Sequence, residues 1–89
     1  MSALRQQVTD AVQRYITARL IAVGKPASTL ASSEDLIDEG VLDSVALTGL
    51  IAAVEHAIGR EIDFIDIDPD TLGTVDGIVG ELSRVIEAR

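Results

Sequence analysis

The chain has 89 residues, so we expect one domain, residues 1–89, built around a single small core. Fifteen Asp and Glu against seven Lys and Arg give a formal net charge of -8. This charge repels phosphate backbones and anionic membranes, so we expect no nucleic acid and no membrane as partner. The chain has no cysteine, which excludes disulfides, thiolate metal sites and a thiol nucleophile of its own. Residues 1–10 lack the pattern of a signal peptide, and we expect a cytoplasmic monomer.

The first predicted helix covers about residues 3–22. Its apolar residues recur at three- and four-residue steps, which indicates one buried stripe on a helix. Gly24, followed by Pro26, is a usual C-terminal stop. The stripe consists of Leu4, Val8, Val12, Tyr15, Ile16 and Leu20.

A long loop is predicted next, over residues 25–43. This stretch lacks helical periodicity and is rich in Ser, Thr, Ala and acidic residues. A connection of this length is unusual in a small domain unless it is tied down or has a function. We therefore expect its apolar residues to anchor it to the helical core; they are Leu30, Leu36, Ile37, Val41 and Leu42.

The second predicted helix covers about residues 44–58. Asp43 and Ser44 are both favoured N-cap residues, and Gly59 is a favoured C-terminal stop. Its apolar stripe is Leu47, Leu50, Ile51, Val54 and Ile58.

Residues 60–73 combine isoleucines with acids in near alternation, which could signal a strand. A lone strand would have no partner here, so we predict a loop with a short helix at about 69–72, started by Pro69 and capped by Asp68. Thr74 then caps the last helix, whose stripe is Val75, Ile78, Val79, Leu82, Val85 and Ile86. The predicted fold is all-α, a four-helix bundle of three long helices and one short helix.

The charge is concentrated in the middle of the chain. Residues 34–81 hold thirteen acids and one base, Arg60, for a net charge of -12. Such a segment can be a solvated acidic surface, or it can dock basic partner proteins. Both interpretations stay open from composition alone.

Three of these acids, Asp66, Asp68 and Asp70, imitate the first ligands of a calcium-binding loop. The position that requires glycine is occupied by Thr71, and the position that requires glutamate is occupied by Gly77. We therefore exclude a calcium loop of that type and predict no metal site.

Ser44 directly follows an aspartate at the predicted start of a helix. It can be an ordinary capping serine, or it can present an exposed hydroxyl where helix N–H groups would stabilise an attached phosphate. Catalysis by Ser44 would need a base, and the single histidine, His56, lies twelve residues further along the same helix. That spacing corresponds to about 18 Å in a continuous helix, so a Ser-His dyad is excluded. Since the sequence also shows no metal cluster and no phosphate-cradling glycine loop, we predict that the protein is not an enzyme.

Length, acidity and helical pattern, together with the run from Gly40 to Ser44 (Gly-Val-Leu-Asp-Ser), resemble the acyl carrier and peptidyl carrier protein family over essentially the whole chain. The second-helix stripe, Gly59, Ile62 and the Thr74-capped helix continue the likeness. The resemblance implies that Ser44 carries 4'-phosphopantetheine from coenzyme A, attached by a separate phosphopantetheinyl transferase that Asp43 helps to engage. It also implies an adenylate-forming acyl or aminoacyl ligase that loads the carrier and a downstream acyltransferase that unloads it.

The outward face of the second predicted helix departs from strongly acidic fatty-acid carriers. Its residues are small and nearly neutral, and Glu55 is the one acidic residue of the helix. Such a face favours docking through close contact, as in peptidyl and aminoacyl carriers, with an amino acid or short acyl group as cargo. A fatty-acid or polyketide carrier, and an unmodified acidic helical adaptor that binds a basic protein, are the alternatives. The predicted docking residues are Val45, Thr48, Gly49, Ala52 and Ala53, with His56 on the same face.

Three glycines, Gly49, Gly77 and Gly80, fall inside predicted helices. Each costs about 0.5 to 1 kcal/mol relative to alanine, so each needs a reason. Close helix crossing is the structural explanation, and a partner pressed against Gly49 is the functional one.

Overall fold

Three α-helices form the framework of the protein in the computed structural model, which describes residues 3–26 and 35–88. They are α1 (Ala3–Val23), α2 (Ser44–Ile58) and α3 (Val75–Glu87). Two 3-10 turns, Phe64–Asp66 and Pro69–Thr71, lie between α2 and α3, and the described ranges contain no strand. The all-helical prediction and the three long helices are confirmed, whereas the four-helix bundle is not, because the described residues contain three α-helices.

In place of the predicted short helix at 69–72, the structure has a 3-10 turn at Pro69–Thr71. Asp68 caps this turn as predicted, and its side chain accepts a hydrogen bond from the Asp70 N–H at 3.0 Å. Pro69 stands at the start of the turn. With only three residues between this cap and the buried Leu72, there is no room for an α-helical turn to propagate.

Side-chain caps determine where α2 and α3 begin. Asp43 Oδ1 accepts a hydrogen bond from the Ala46 N–H at 2.7 Å, and Thr74 Oγ1 accepts one from the Gly77 N–H at 3.0 Å. At the other end of α2, Gly59 adopts a left-handed φ of 69°, a conformation that favours glycine and ends the helix.

The core lies where α1 packs against both α2 and α3. All three predicted stripes supply it, although Leu4, Tyr15, Leu47, Ile58 and Val75 are only partly buried at its margin. Burying one Val, Leu or Ile side chain stabilises a fold by about 1.5 to 3 kcal/mol. Within the described residues, no helix combines the length and the apolar character needed to cross a bilayer.

The loop before α2 is fastened to the core at several points. Leu36, Val41 and Leu42 are buried, which confirms three of the predicted anchors. The Leu36 N–H donates to the Gly73 carbonyl at 2.6 Å, and Arg19 Nε donates to the Val41 carbonyl at 3.2 Å. These contacts hold the chain that leads into α2 against α1 and the start of α3.

The other two predicted anchors of the loop are Ile37 and Leu30. Ile37 is 42% exposed, so its prediction as an anchor is wrong. Its N–H donates to Asp35 Oδ1 at 2.8 Å in a tight turn, which directs Leu36 rather than Ile37 to the core. Leu30 lies outside the described residues.

The segment after α2 breaks the alternation that its sequence suggested. Ile62 and Ile67 are buried, whereas Phe64 and Ile65 are exposed. The turn begins where the Asp63 side chain accepts a hydrogen bond from the Ile65 N–H at 3.0 Å. A 3-10 turn has three residues per turn, so side chains within it do not alternate between two faces.

Candidate functional site

Ser44 is the first residue of α2, and its side chain is exposed. The cap of the helix is Asp43, so the interpretation of Ser44 as the capping residue is wrong. Within the described residues the Ser44 hydroxyl makes no hydrogen bond, and its carbonyl accepts one from Thr48 Oγ1 at 2.9 Å. The hydroxyl is therefore open to an incoming reagent.

The backbone around Ser44 is suited to a negatively charged group. The first N–H groups of a helix have no intrahelical acceptor, and Asp43 satisfies the one at Ala46. The N–H groups of Ser44 and Val45 therefore remain at the positive end of the helix dipole. A phosphate on the Ser44 oxygen would be stabilised there by partial charge and by hydrogen bonds.

An apolar groove of about 300 Å³ opens directly beside Ser44. One side belongs to α2 and the other to the two 3-10 turns and the residues between and after them. The groove brings together residues that are up to 28 positions apart in the sequence. It is lined by Ser44, Leu47, Thr48, Phe64, Ile67, Pro69 and Leu72.

The predicted docking residues do not all share one open face. Val45 is 80% exposed, and Thr48 and Ala52 are also exposed, whereas Ala53 and Gly49 are only partly so. The exposed part of this face therefore consists of Val45, Thr48 and Ala52, and it begins next to Ser44. Whether it docks a partner stays a prediction.

Gly49 is a point of close approach between α1 and α2. A Cβ atom built on Gly49 would collide with the hydroxyl oxygen of Tyr15, so the close-crossing explanation holds here. A Cβ at Gly77 would instead collide with the carbonyl oxygen of Thr71, in the turn just before α3. Among the described residues, a Cβ at Gly80 would meet no atom of another part of the chain within 4 Å, so close crossing is the wrong explanation for that glycine.

The turns flanking the groove use their acids as local caps. Asp63 and Asp68 each accept a backbone N–H hydrogen bond two residues ahead. Glu55 of α2 also turns back to this region, where its Oε2 accepts the Ile62 N–H at 2.8 Å. In the described part of the chain no group of three or more His, Cys, Asp or Glu could hold a metal ion.

A pair that the sequence analysis did not single out, Glu81 and Arg84 of α3, holds the turns in place. Glu81 Oε2 accepts the Asp68 N–H at 2.6 Å, and Arg84 Nη2 donates to the Asp66 carbonyl at 2.9 Å. Hydrogen bonds from Arg84, then from the Asp68 N–H, lower the pKa of Glu81 to about 2. Glu81 in turn raises the pKa of Arg84. The spacing i, i+3 signals a helical ion pair, but nothing local signals the bonds to the turns.

His56 stands apart from Ser44. α2 is unbroken from Ser44 to Ile58, so twelve residues of helical rise separate the two side chains by about 18 Å. His56 is exposed, as expected for a surface residue. The geometric condition that excludes a Ser-His dyad is met.

No protein-family model matches the chain, and no solved structure matches it. The geometry around Ser44 is therefore the basis for inferring a function.

Proposed function

We propose that this chain is a carrier protein whose Ser44 is modified with 4'-phosphopantetheine and which presents an acyl or aminoacyl group to partner enzymes. The observation that supports the proposal most is the position of Ser44. Its hydroxyl is exposed at the first residue of α2, beside an apolar groove, and has no hydrogen-bond partner among the described residues, while Asp43 caps the helix. A plain capping serine would not leave its hydroxyl in this state.

The residues around Ser44 fit an attached phosphodiester. In the modification, the Ser44 oxygen would form a bond to the phosphorus that carries the pantetheine arm of coenzyme A, and the bond from that phosphorus to the bridging pyrophosphate oxygen would break. Adenosine 3',5'-bisphosphate leaves, and the serine proton passes to a base of the transferase. The N–H groups of Ser44 and Val45 would then stabilise the charge of the phosphodiester. When bound, the group supplies the thiol that this cysteine-free chain lacks, and the cargo is held there as a thioester.

The proposal implies a four-helix bundle in which the segment with the two 3-10 turns takes the place of the short helix. It also implies a phosphopantetheinyl transferase, an adenylate-forming ligase and a downstream acyltransferase as partners. The exposed residues Val45, Thr48 and Ala52 make a small, uncharged face next to Ser44. This face supports an aminoacyl or short acyl cargo, since partners can approach it closely without neutralising charge.

The test is the intact mass of the protein after incubation with coenzyme A and a promiscuous phosphopantetheinyl transferase. We expect one phosphopantetheine increment in the wild type and in Ser83→Ala, a control that alters a buried serine. We expect none in Ser44→Ala. An unmodified wild type would refute the carrier function and favour an acidic helical adaptor, which the net charge of -12 over residues 34–81 would serve.

Cargo is tested separately on the modified protein. Adenylating enzymes of known specificity are supplied with amino acids, short acyl groups or long-chain fatty acids, and loading is followed by mass. We expect loading with amino acids or short acyl groups. Loading with long-chain fatty acids alone would favour the fatty-acid carrier alternative.

A further inference from the structure

One side of the groove beside Ser44 is built from irregular backbone. We call residues 64–72 the wall segment, because Phe64, Ile67, Pro69 and Leu72 all line the groove. The segment contains two 3-10 turns of three residues each. Turns of this length have few backbone hydrogen bonds of their own, so contacts elsewhere must determine where the wall lies.

Two side chains of α3 supply such contacts. Glu81 Oε2 accepts the Asp68 N–H at 2.6 Å, and Arg84 Nη2 donates to the Asp66 carbonyl at 2.9 Å. Arg84 also donates twice to the Glu81 carboxylate, from Nε at 2.8 Å and from Nη2 at 2.7 Å. Asp66 is the last residue of the first turn, and Asp68 directly precedes the second turn, so the pair holds the middle of the wall segment.

The burial of Glu81 indicates a positional role. The Glu81 side chain is 6% exposed, whereas that of Arg84 is 58% exposed. Burial of the Glu81 carboxylate carries a desolvation cost, which its hydrogen bonds must offset. What apolar residues cannot reproduce is the directional bonding of two specific backbone groups, because they have neither donors nor acceptors.

We infer that Glu81 and Arg84 are positioning residues that hold the wall segment and thereby set the width of the groove beside Ser44. The effect on the groove follows from these contacts alone. The effect on modification of Ser44 rests on the proposed function, since the transferase must approach the Ser44 hydroxyl between α2 and the wall segment.

The first experiment examines the unmodified protein. Amide hydrogen exchange is measured by NMR in the wild type, Glu81→Ala, Glu81→Gln and Arg84→Ala, with Arg14→Ala as a control at an exposed arginine of α1. We expect the Asp68 N–H to exchange about tenfold faster in both pair-disrupting alanine variants, while Leu82 and Ile86 of α3 are unchanged. Glu81→Gln, which keeps an acceptor oxygen, stays closer to the wild type.

Binding of the neutral apolar dye N-phenyl-1-naphthylamine reports on the groove in the same variants. We expect its dissociation constant to change about threefold or more in Arg84→Ala and to be unchanged in Arg14→Ala. Unchanged Asp68 exchange in Glu81→Ala and Arg84→Ala would overturn the inference. Exchange that rises equally at Asp68 and throughout α3 would also overturn it, because that pattern reports general destabilisation.

The second experiment measures transferase kinetics with the protein as substrate. We expect Arg84→Ala to raise KM about threefold with little change in kcat, because the reacting hydroxyl is intact and its surroundings are displaced. An unchanged KM on a protein that is modified would contradict the role toward Ser44. If the wild type is not modified, the proposed function fails, and the exchange and dye measurements still decide whether the pair positions the wall.

Discussion

The hydroxyl oxygen of Tyr15 on α1 lies so close to Gly49 of α2 that a Cβ atom at residue 49 would collide with it. Gly49 is what allows the two helices to approach at this point. It faces α1 within the helix that presents Ser44, so the crossing helps to fix the orientation of α2. The cost of a glycine inside a helix is offset by the packing of an aromatic side chain against its backbone.

A double-mutant cycle tests this contact. Gly49→Ala gains helix propensity but forces a collision with Tyr15, so we expect the free energy of unfolding to fall by about 1 kcal/mol. In a Tyr15→Phe background, which lacks the hydroxyl, the loss should shrink by at least about 0.5 kcal/mol. Urea unfolding provides the measurement. Gly80→Ala is the matched control and should gain about 0.5 to 1 kcal/mol, since open space surrounds it. Equal effects of Gly49→Ala in both backgrounds would contradict the contact.

Asp43 has a structural role that can be separated from recognition by a transferase. Asp43→Ala removes the cap of α2 and should lower the free energy of unfolding by about 1 kcal/mol, whereas Asp43→Asn keeps a capping oxygen and should be nearly neutral. If the transferase reads the carboxylate, Asp43→Asn is modified more slowly despite its stability. Thr74→Ala, which removes the cap of α3, controls for cap loss and should leave the modification rate unchanged. If Asp43→Asn is modified at the wild-type rate, the role of Asp43 is limited to capping α2.

Glu81 should give stability a specific pH dependence. Its pKa of about 2 in the folded protein lies below the ordinary 4.5, because Arg84 and the Asp68 N–H stabilise the carboxylate. At low pH, protons therefore bind to Glu81 more readily in the unfolded chain than in the folded protein. The contribution of Glu81 to the free energy of unfolding is complete above about pH 4.5 and is lost as the pH falls toward 2. The stability difference between the wild type and Glu81→Gln should fall over that interval in urea titrations. In an Arg84→Ala background the pH-dependent part of this stability difference should be smaller. A stability difference between the wild type and Glu81→Gln that stays constant with pH would refute the lowered pKa of Glu81.

Ser83 is a site where a substitution should stabilise the protein. It is buried in α3, and its hydroxyl has no hydrogen-bond partner among the described residues. Ser83→Ala removes a desolvated polar group and raises helix propensity, so we expect about 1 kcal/mol of added stability. For a chain of this size that corresponds to roughly 4–8 °C in Tm, measured by thermal unfolding. Ser44→Ala is the exposed control and should change Tm little. A lower Tm for Ser83→Ala would show that its hydroxyl has a partner.

The groove beside Ser44 shows how far the sequence analysis reached. It predicted Ser44 at the head of a helix, and it predicted the caps at Asp68 and Thr74, because these depend on neighbours within four residues. It did not predict the groove, which needs Phe64 and Leu72 to lie across from α2. It also missed Glu81 as a buried acceptor, since its partner Asp68 is thirteen residues away and no local pattern links the two.

The amino-acid sequence by itself determined the three α-helices and the starts of α2 and α3, because helical periodicity and capping are settled by side chains and backbone groups within a turn or two of each other. Tertiary structure decided which isoleucines around Phe64 are buried, which glycine faces Tyr15, and how α3 holds the turns beside Ser44. Those outcomes depend on which helices and turns, distant in the sequence, pack against each other when their apolar side chains are buried. Burial is a property of the packed molecule, so the environment of the Ser44 hydroxyl emerges only when the helices and turns are assembled.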